Sequence, residues 1–477
     1  MSYAESEKRR KGRSIPTRNP GHHVLESTQP DELAGSHGSG ESVNTSGGTE
    51  SSRVPENRPR SRFFTLLKTM GPGLVTGASD DDPSGIATYS QVGAQFGYGM
   101  LWTMLVSYPL MAAIQEVCAR IGRVTGCGIS ANLRKSYPRS LLYLAVGMVL
   151  IANIFNLGAD IGAMAAAIQL LLPGHSVLYI VSFGLLSLLL QLFVPYSSYV
   201  KYLKWLTLSL FAYVGTTFFV QIPWGQVLRG TVYPHMSFSR AYLMALIAVL
   251  GTTISPYLFF WQASQEVEEV KNHRGEKALR RAPQQAVRQL DRIRADTYIG
   301  MGFSNLVAFF IILTTAATLH AHGVTSVDSS AQAAQALRPL AGRWAFLLFV
   351  CGIVGTGLLA VPVLAGSAAY AVGEAFNWRP SLESKPSEAI RFYTTIVVAT
   401  LIGLTLNFVG IDPIKALFWA AVLNGLTAAP LMAVILLMAS NPTIMGKFVL
   451  PAYLRIVGWV ATTVMLGVSI GVFATWR

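Results

Sequence analysis

The sequence predicts an all-α membrane protein of about eleven spanning helices, arranged as two inverted five-helix repeats followed by one extra helix. Three observations predict it. Of the 477 residues, 52% are hydrophobic and only 13% are charged, too little charge to cover a soluble protein of this size. Apolar runs recur from about Leu66 to the C-terminus, each long enough to cross roughly 30 Å of hydrocarbon as a helix. Barrel strands would instead be short and alternating. Finally, the first and sixth of these runs are both interrupted by proline beside small polar residues.

Residues 1 to about 60 are rich in Ser, Gly, Glu, Arg and Pro and cannot bury a core, so they read as a disordered cytoplasmic tail. No apolar stretch at the extreme N-terminus suggests a cleavable signal, which leaves insertion to the first spanning helix. Residues 61–477 then form the transmembrane domain. Its expected spans are 66–96 (interrupted), 98–121, 141–171, 177–195, 202–222, 241–262 (interrupted), 297–319, 344–371, 389–409, 414–438 and 451–475. Repeat one covers about 63–222, repeat two about 239–438, and the extra helix about 451–475.

The net charge of +13 raises the question of a nucleic-acid partner, but the position of the charge answers it. With the tail in the cytoplasm, so is the loop after the sixth span, which carries Lys271, Arg274, Lys277, Arg280, Arg281, Arg288, Arg292 and Arg294. The turns after spans one and three carry no Lys or Arg. Topology signalling alone accounts for this pattern, and no nucleic acid is expected. The same count puts the N-terminus inside and the C-terminus outside a plasma (inner) membrane. Cys118, Cys127 and Cys351 have no metal-ligand or paired spacing, so no cofactor is implied.

The first break reads Ser79-Asp80-Asp81-Asp82-Pro83-Ser84-Gly85, the second Gly251-Thr252-Thr253-Ile254-Ser255-Pro256-Tyr257. Pro83 and Pro256 cannot donate helical hydrogen bonds, and Ser84 and its small neighbours tolerate unwound backbone. Unwound backbone at membrane depth survives only inside protein or against a cavity, so both breaks point at one interior site. Kinked receptor helices are the blander reading. Inverted repeats that each open on a broken helix hold their substrate between the breaks.

A carboxylate at mid-membrane costs roughly 2.5–3.5 kcal/mol even on a lenient scale, and such groups are usually functional and paired. Asp82 is the candidate, with a cation as its partner, because no Lys or Arg follows Lys68 in the first span. Asp80 and Asp81 are expected nearer water. The second break offers the hydroxyls of Thr252, Thr253 and Ser255 and freed carbonyls. An all-oxygen set suits Mg²⁺, Ca²⁺ or Mn²⁺, and neither break holds His, Cys or Met.

These residues resemble the Nramp family of divalent metal transporters. The resemblance runs from about Gly71 onward, through Gly71-Pro72-Gly73, Asp82-Pro83-Ser84-Gly85-Ile86-Ala87-Thr88 and Gly93-Ala94-Gln95-Phe96-Gly97-Tyr98. It implies a LeuT-type fold and a metal held by the Asp and Asn of an Asp-Pro-Gly-Asn motif. Asp82 and Pro83 match, whereas Ser84 and Gly85 stand at the Gly and Asn positions. In the sixth helix the family pattern Ala-x-x-Met-Pro-His aligns with Thr252, Ser255, Pro256 and Tyr257, so a hydroxyl replaces the soft thioether. The family's Asp-Leu-Ala-Glu segment, implicated in its proton pathway, aligns with Asn156-Leu157-Gly158-Ala159. Gln262 stands where a second His is usual. The replacements are similar to those of the Nramp-related magnesium transporters, which carry Mg²⁺ and Mn²⁺ without evident proton coupling.

Other polar residues have two readings. Asn153, Asn156 and Asp160 share one helical face and either bond between helices or line the ion path. Glu116 and Asp160 remain as intramembrane acids able to relay protons. Asn424 lies two positions from the family's tenth-helix Gln and is a candidate ligand. His320 and His322 read as a solvated pair rather than a metal lure. The expected function is alternating-access transport of Mg²⁺ and Mn²⁺ without obligatory proton coupling. A proton-coupled Mn²⁺/Fe²⁺ importer and a Na⁺-coupled organic-solute symporter are the alternatives. The partners are the cargo ion and the bilayer, with no obligate protein partner. No nucleophile and base constellation or phosphate loop points to an enzyme.

Overall fold

The computed structural model describes Gly77, residues 80–194, 208–273 and 275–378, Leu382 and residues 386–475, all within one compact unit, Arg60–Arg477. The expected tail, the opening of the first span with Gly71-Pro72-Gly73, Arg274 and residues 202–207 of the fifth span lie outside the described residues.

Every regular element described is helical. In chain order the main helices are α1 (Pro83–Phe96), α2 (Trp102–Thr125), α3 (Ile129–Ser136), α4 (Arg139–Ile168), α5 (Ser176–Phe193), α6 (Arg240–Thr253), α7 (Pro256–Asn272), α8 (Ala286–Thr318), α9 (Ala345–Ala375), α10 (Ile390–Thr405), α11 (Pro413–Ala439) and α12 (Ala452–Ala474). Short helices Phe211–Thr216 and Trp224–Val232 lie between α5 and α6. Eight stretches among the described residues are long and apolar enough to cross a membrane, with α6 and α7 together counting as one of them. A ninth is formed by α1, its following turn and α2, which bend by 109°. The first and fifth expected spans both run into residues outside this set.

Both expected breaks are present. Helical backbone at Asp80 gives way at Asp81 and Asp82, and α1 starts at Pro83. In the second break α6 stops at Thr253, Ile254 turns to φ −117° and ψ 62°, and α7 starts at Pro256. Pro at a first helical position is preorganised and loses no bond, so in each case the proline that ends one half starts the other.

Burial divides the bundle into centre and rim. The most apolar window of the α6 and α7 stretch is wholly buried, whereas those of α5, α10 and α12 are mostly uncovered. Leu178, Leu185, Ile402, Ile456 and Ile470 stand exposed on these outer helices, as expected of a surface facing lipid. The broken helices therefore occupy the middle. Small residues let neighbouring backbones touch there: Gly251 of α6 lies against Ala421 and Gly425 of α11, and Gly158 of α4 against Gly403 of α10. Gly77 and Gly93 likewise lie against Gly300 and Ile312 of α8. A methyl group at any of these positions would run into main chain.

The basic loop after α7 does more than signal topology. Its amides at Leu279 and Arg280 donate to the carbonyls of Arg123 and Val124 at the end of α2 (3.1 and 3.2 Å). Buried Arg123 pairs with Glu276 at 2.5 Å, and Arg292 with buried Glu266 at 2.6 Å. Part of the positive charge is thus built into the fold.

Candidate functional site

Asp82 stands at the N-cap of α1 with extended backbone (φ −71°, ψ 169°), the position where a short acceptor side chain satisfies otherwise orphaned amides. Its Oδ1 accepts from the Gly85 amide at 2.8 Å and the Ser84 hydroxyl at 2.6 Å. Its Oδ2 accepts from Asn156 Nδ2 at 3.0 Å and faces the Tyr257 hydroxyl at 3.5 Å. One carboxylate thereby joins α1, α4 and α7. It is 1% exposed, and no ion pair among the described residues reaches it. Four neutral groups orient the charge, and none cancels it.

The second break faces this carboxylate across Gly85. A Cβ on Gly85 would lie 3.1 Å from Thr252 Oγ1, 3.2 Å from Tyr89 Cε2 and 3.7 Å from Asp82 Oδ1. Thr252 Oγ1 has no hydrogen-bond partner. Ser255 behaves differently from the expectation that its hydroxyl faces the site. It stands at the N-cap position of α7 without a side-chain capping bond, and its hydroxyl donates back to the carbonyls of Gly251 (3.0 Å) and Thr252 (2.8 Å) in α6. Thr253 likewise donates to Val249 and Leu250 carbonyls. At this break the Thr252 hydroxyl is the group left facing Gly85.

Asp82, Gly85, Thr252, Asn156 and Tyr257 therefore come together as the sequence suggests. Asn424 is buried in α11 beside the Gly425 and Gly251 contact, and neither its oxygen nor its nitrogen has a hydrogen-bond partner. Asp160, one turn beyond Asn156, is fully buried with both oxygens unpartnered and lies within Coulombic reach of Asp82. Gln262 is buried further along α7.

Other expectations need correcting. Asp80 and Asp81 are not near water: they are 1% and 7% exposed and converge on Ser304 of α8, at 2.6 and 3.1 Å from its hydroxyl. Glu116 is salt-bridged to Arg120 at 2.7 Å and approached by Tyr453, away from the Asp82 contacts. Asn153 bonds across to Leu364 and Ser367 of α9, so the interhelical reading holds for it while Asn156 alone reaches Asp82. His320 and His322 are exposed, as the solvated reading expects, and each ring also contacts a carbonyl, of Ala94 and Thr318. Sequence reasoning missed Tyr89 and Ser304. Tyr89 could have been found, because it lies four residues beyond Gly85 on the same helical face.

The chemistry on offer is one charged oxygen ligand, hydroxyls and main-chain carbonyls. No group of three or more His, Cys, Asp or Glu among the described residues could enclose a metal by itself. Such a site could hold a hard cation that keeps part of its water.

The family model described as natural resistance-associated macrophage protein-like (Nramp) matches residues 73–475. A curated relative, the divalent metal cation transporter MntH of Klebsiella pneumoniae strain 342, is 28% identical over 429 residues, covering 88% of this chain and 97% of its own. MntH of Yersinia enterocolitica is 27% identical over 428 residues with the same coverage. Among solved structures, the Eremococcus coleocola manganese transporter superposes with a TM-score of 0.68 at 18% identity, covering 88% of each chain. The nucleobase-cation-symport-1 family transporter Mhp1 gives a TM-score of 0.53 at 13% identity over 85% of this chain and 93% of its own. These two likenesses show the fold, the LeuT-type arrangement expected above.

Proposed function

We propose that this chain, which belongs to the Nramp family, carries divalent metal cations across a membrane by alternating access, Mg²⁺ and Mn²⁺ above all, without obligatory proton coupling. The observation that carries the reading is Asp82: a buried carboxylate held by four neutral donors between two broken helices, with no basic partner. A cation completes its charge balance, and the curated relatives are named as divalent metal cation transporters.

Selectivity follows from the oxygen set. With Ser255 in place of a thioether and Gly85 in place of a carboxamide, the ion meets fewer and harder protein ligands. Mg²⁺ sheds water reluctantly, so a site that leaves it partly hydrated favours it over softer metals. The same replacements remove titrating groups, because Asn156 and Tyr257 hold Asp82 without carrying a proton to it. Energy is not lacking: each charge crossing about 100 mV gains about 2.3 kcal/mol, which draws a divalent ion inward unaided. We place the protein in the plasma membrane, N-terminus inside and C-terminus outside, on the strength of the loop charges.

Asp160 favours a second reading, proton-coupled import of a transition metal, in which this unpartnered acid carries the proton. Uptake of Mg²⁺ into liposomes separates the two. Transport driven by voltage with no internal acidification supports the proposal, and transport that strictly requires a pH gradient overturns it in favour of the second.

A further inference from the structure

We infer that Tyr89 is a specificity-determining residue of the ion site: with Thr252, its hydroxyl replaces the ligand missing at Gly85 by binding the cargo ion's retained water. The inference rests on the reading of Asp82 as the ion's anchor. Gly85 leaves a notch at the first break, and three groups border the point where a side chain would begin: Asp82 Oδ1, Thr252 Oγ1 and the edge of the Tyr89 ring. Two of them end in hydroxyls whose hydrogen-bonding capacity is not filled. Tyr89 is 1% exposed, and neither its hydroxyl nor that of Thr252 has a hydrogen-bond partner. The Thr252 hydroxyl bears on the Tyr89 phenol, but the contact falls short of a full hydrogen bond, and each hydroxyl keeps donor and acceptor capacity for a further partner.

Buried hydroxyls left unmatched are costly, and a pair of them on one polar notch implies an occupant that matches both. The surrounding charge tells which kind. The Tyr89 phenol lies within Coulombic reach of Asp80, Asp81 and Asp82, and no basic group pairs with Asp82, so the notch favours a cation over an anion. A cation with its water shell fits, because bound water presents hydrogens outward and hydroxyl oxygens accept them. The backbone carbonyl of Thr252 is already engaged by Ser255, which leaves the Thr252 side chain to take this role.

The phenol also accounts for hardness. A phenolic oxygen and a threonine oxygen both favour Mg²⁺ and its water over a softer ion. Removing one should weaken Mg²⁺ more than Mn²⁺.

The test is Tyr89→Phe, with Thr252→Val as a second near-isosteric variant, reconstituted in liposomes and assayed for Mg²⁺ and Mn²⁺ uptake. Because the hydroxyls have no protein partner, thermal melting in detergent should be unchanged. The KM for Mg²⁺ should rise about tenfold, with a smaller rise for Mn²⁺, the loss expected for one hydrogen bond in a charged setting. An unchanged KM for Mg²⁺, or a fall in maximal rate or melting temperature alone, overturns the inference. Asp82→Asn assayed alongside keeps the two claims apart. If it abolishes uptake while Tyr89→Phe behaves as wild type, Tyr89 is excluded and the anchor stands. If Asp82→Asn transports normally, the anchor itself has failed.

Discussion

Replacing Asp82 by Asn removes one charge from the proposed ion site and turns Oδ2 from an acceptor into a donor, which a flipped Asn156 amide can meet with its otherwise unpartnered oxygen. Asparagine is as good an N-cap as aspartate, and its side-chain oxygen can still accept from the Gly85 amide and Ser84 hydroxyl. The start of α1 should survive, with melting in detergent within about 2 °C of wild type. Binding should not survive. Two unit charges about 4 Å apart interact by about 4 kcal/mol at an effective dielectric near 20, and a divalent ion doubles this to about 8 kcal/mol. If shedding water cancels half, about 4 kcal/mol remains, which is about a thousandfold in affinity. Titration calorimetry with Mn²⁺ and liposome uptake of Mg²⁺ give the readout. A variant that binds within tenfold of wild type would refute the reasoning, because no other ionised group contacts the Gly85 notch directly. Asp82→Ala should abolish transport too, at a further cost of about 1 kcal/mol from the lost cap.

Ser255→Met restores a soft ligand and should shift preference toward Cd²⁺ or Mn²⁺ over Mg²⁺ by about tenfold in competition uptake. Unchanged selectivity would mean that this position stays out of the ion's reach. Gly251→Leu drives a side chain into the main chain of Ala421 and Gly425, and thermal melting should report at least the 1–3 kcal/mol typical of overpacking. Glu276, in the loop after α7, has its carboxyl held below the usual range. Partial burial opposes this, but the hydrogen bond and charge of Arg123 prevail. Its folded form therefore binds protons less readily than the unfolded chain. The stabilisation is fully present above about pH 4.3, the ordinary Glu value, and is lost as pH falls through the depressed one. Glu276→Gln should flatten that acid limb of a melting-temperature profile, and an unchanged limb would remove Glu276 from the account.

The breaks were legible because proline leaves no choice: it cannot continue a helical bond, and its neighbours at both sites were too small and polar for lipid. The meeting of Asn156 with Asp82 was legible in part, since helical spacing put Asn156 on an inward face without naming its partner. Other features depended on contacts distant in sequence. Three consecutive aspartates suggest water, and only Ser304, more than two hundred positions away, shows how Asp80 and Asp81 are accommodated inside. The turn of Ser255 back onto the end of α6 was hidden for a local reason: serine chooses between nearby carbonyls and a cavity according to backbone angles that sequence does not state. Glu116 was a missed opportunity, because Arg120 stands four residues along the same helix and advertises the ion pair.

The glycine contacts bear on how cargo moves. Gly77 and Gly93 fasten the two sides of the first break to α8, while Gly251 fastens the end of α6 to α11. Asp82 and Thr252 accordingly sit on segments that are each seated closely on a different neighbouring helix. In the proposed transport cycle an ion lodged between Asp82 and Thr252 would act as a pin between the two broken helices, and its arrival or departure would change how firmly they are tied together.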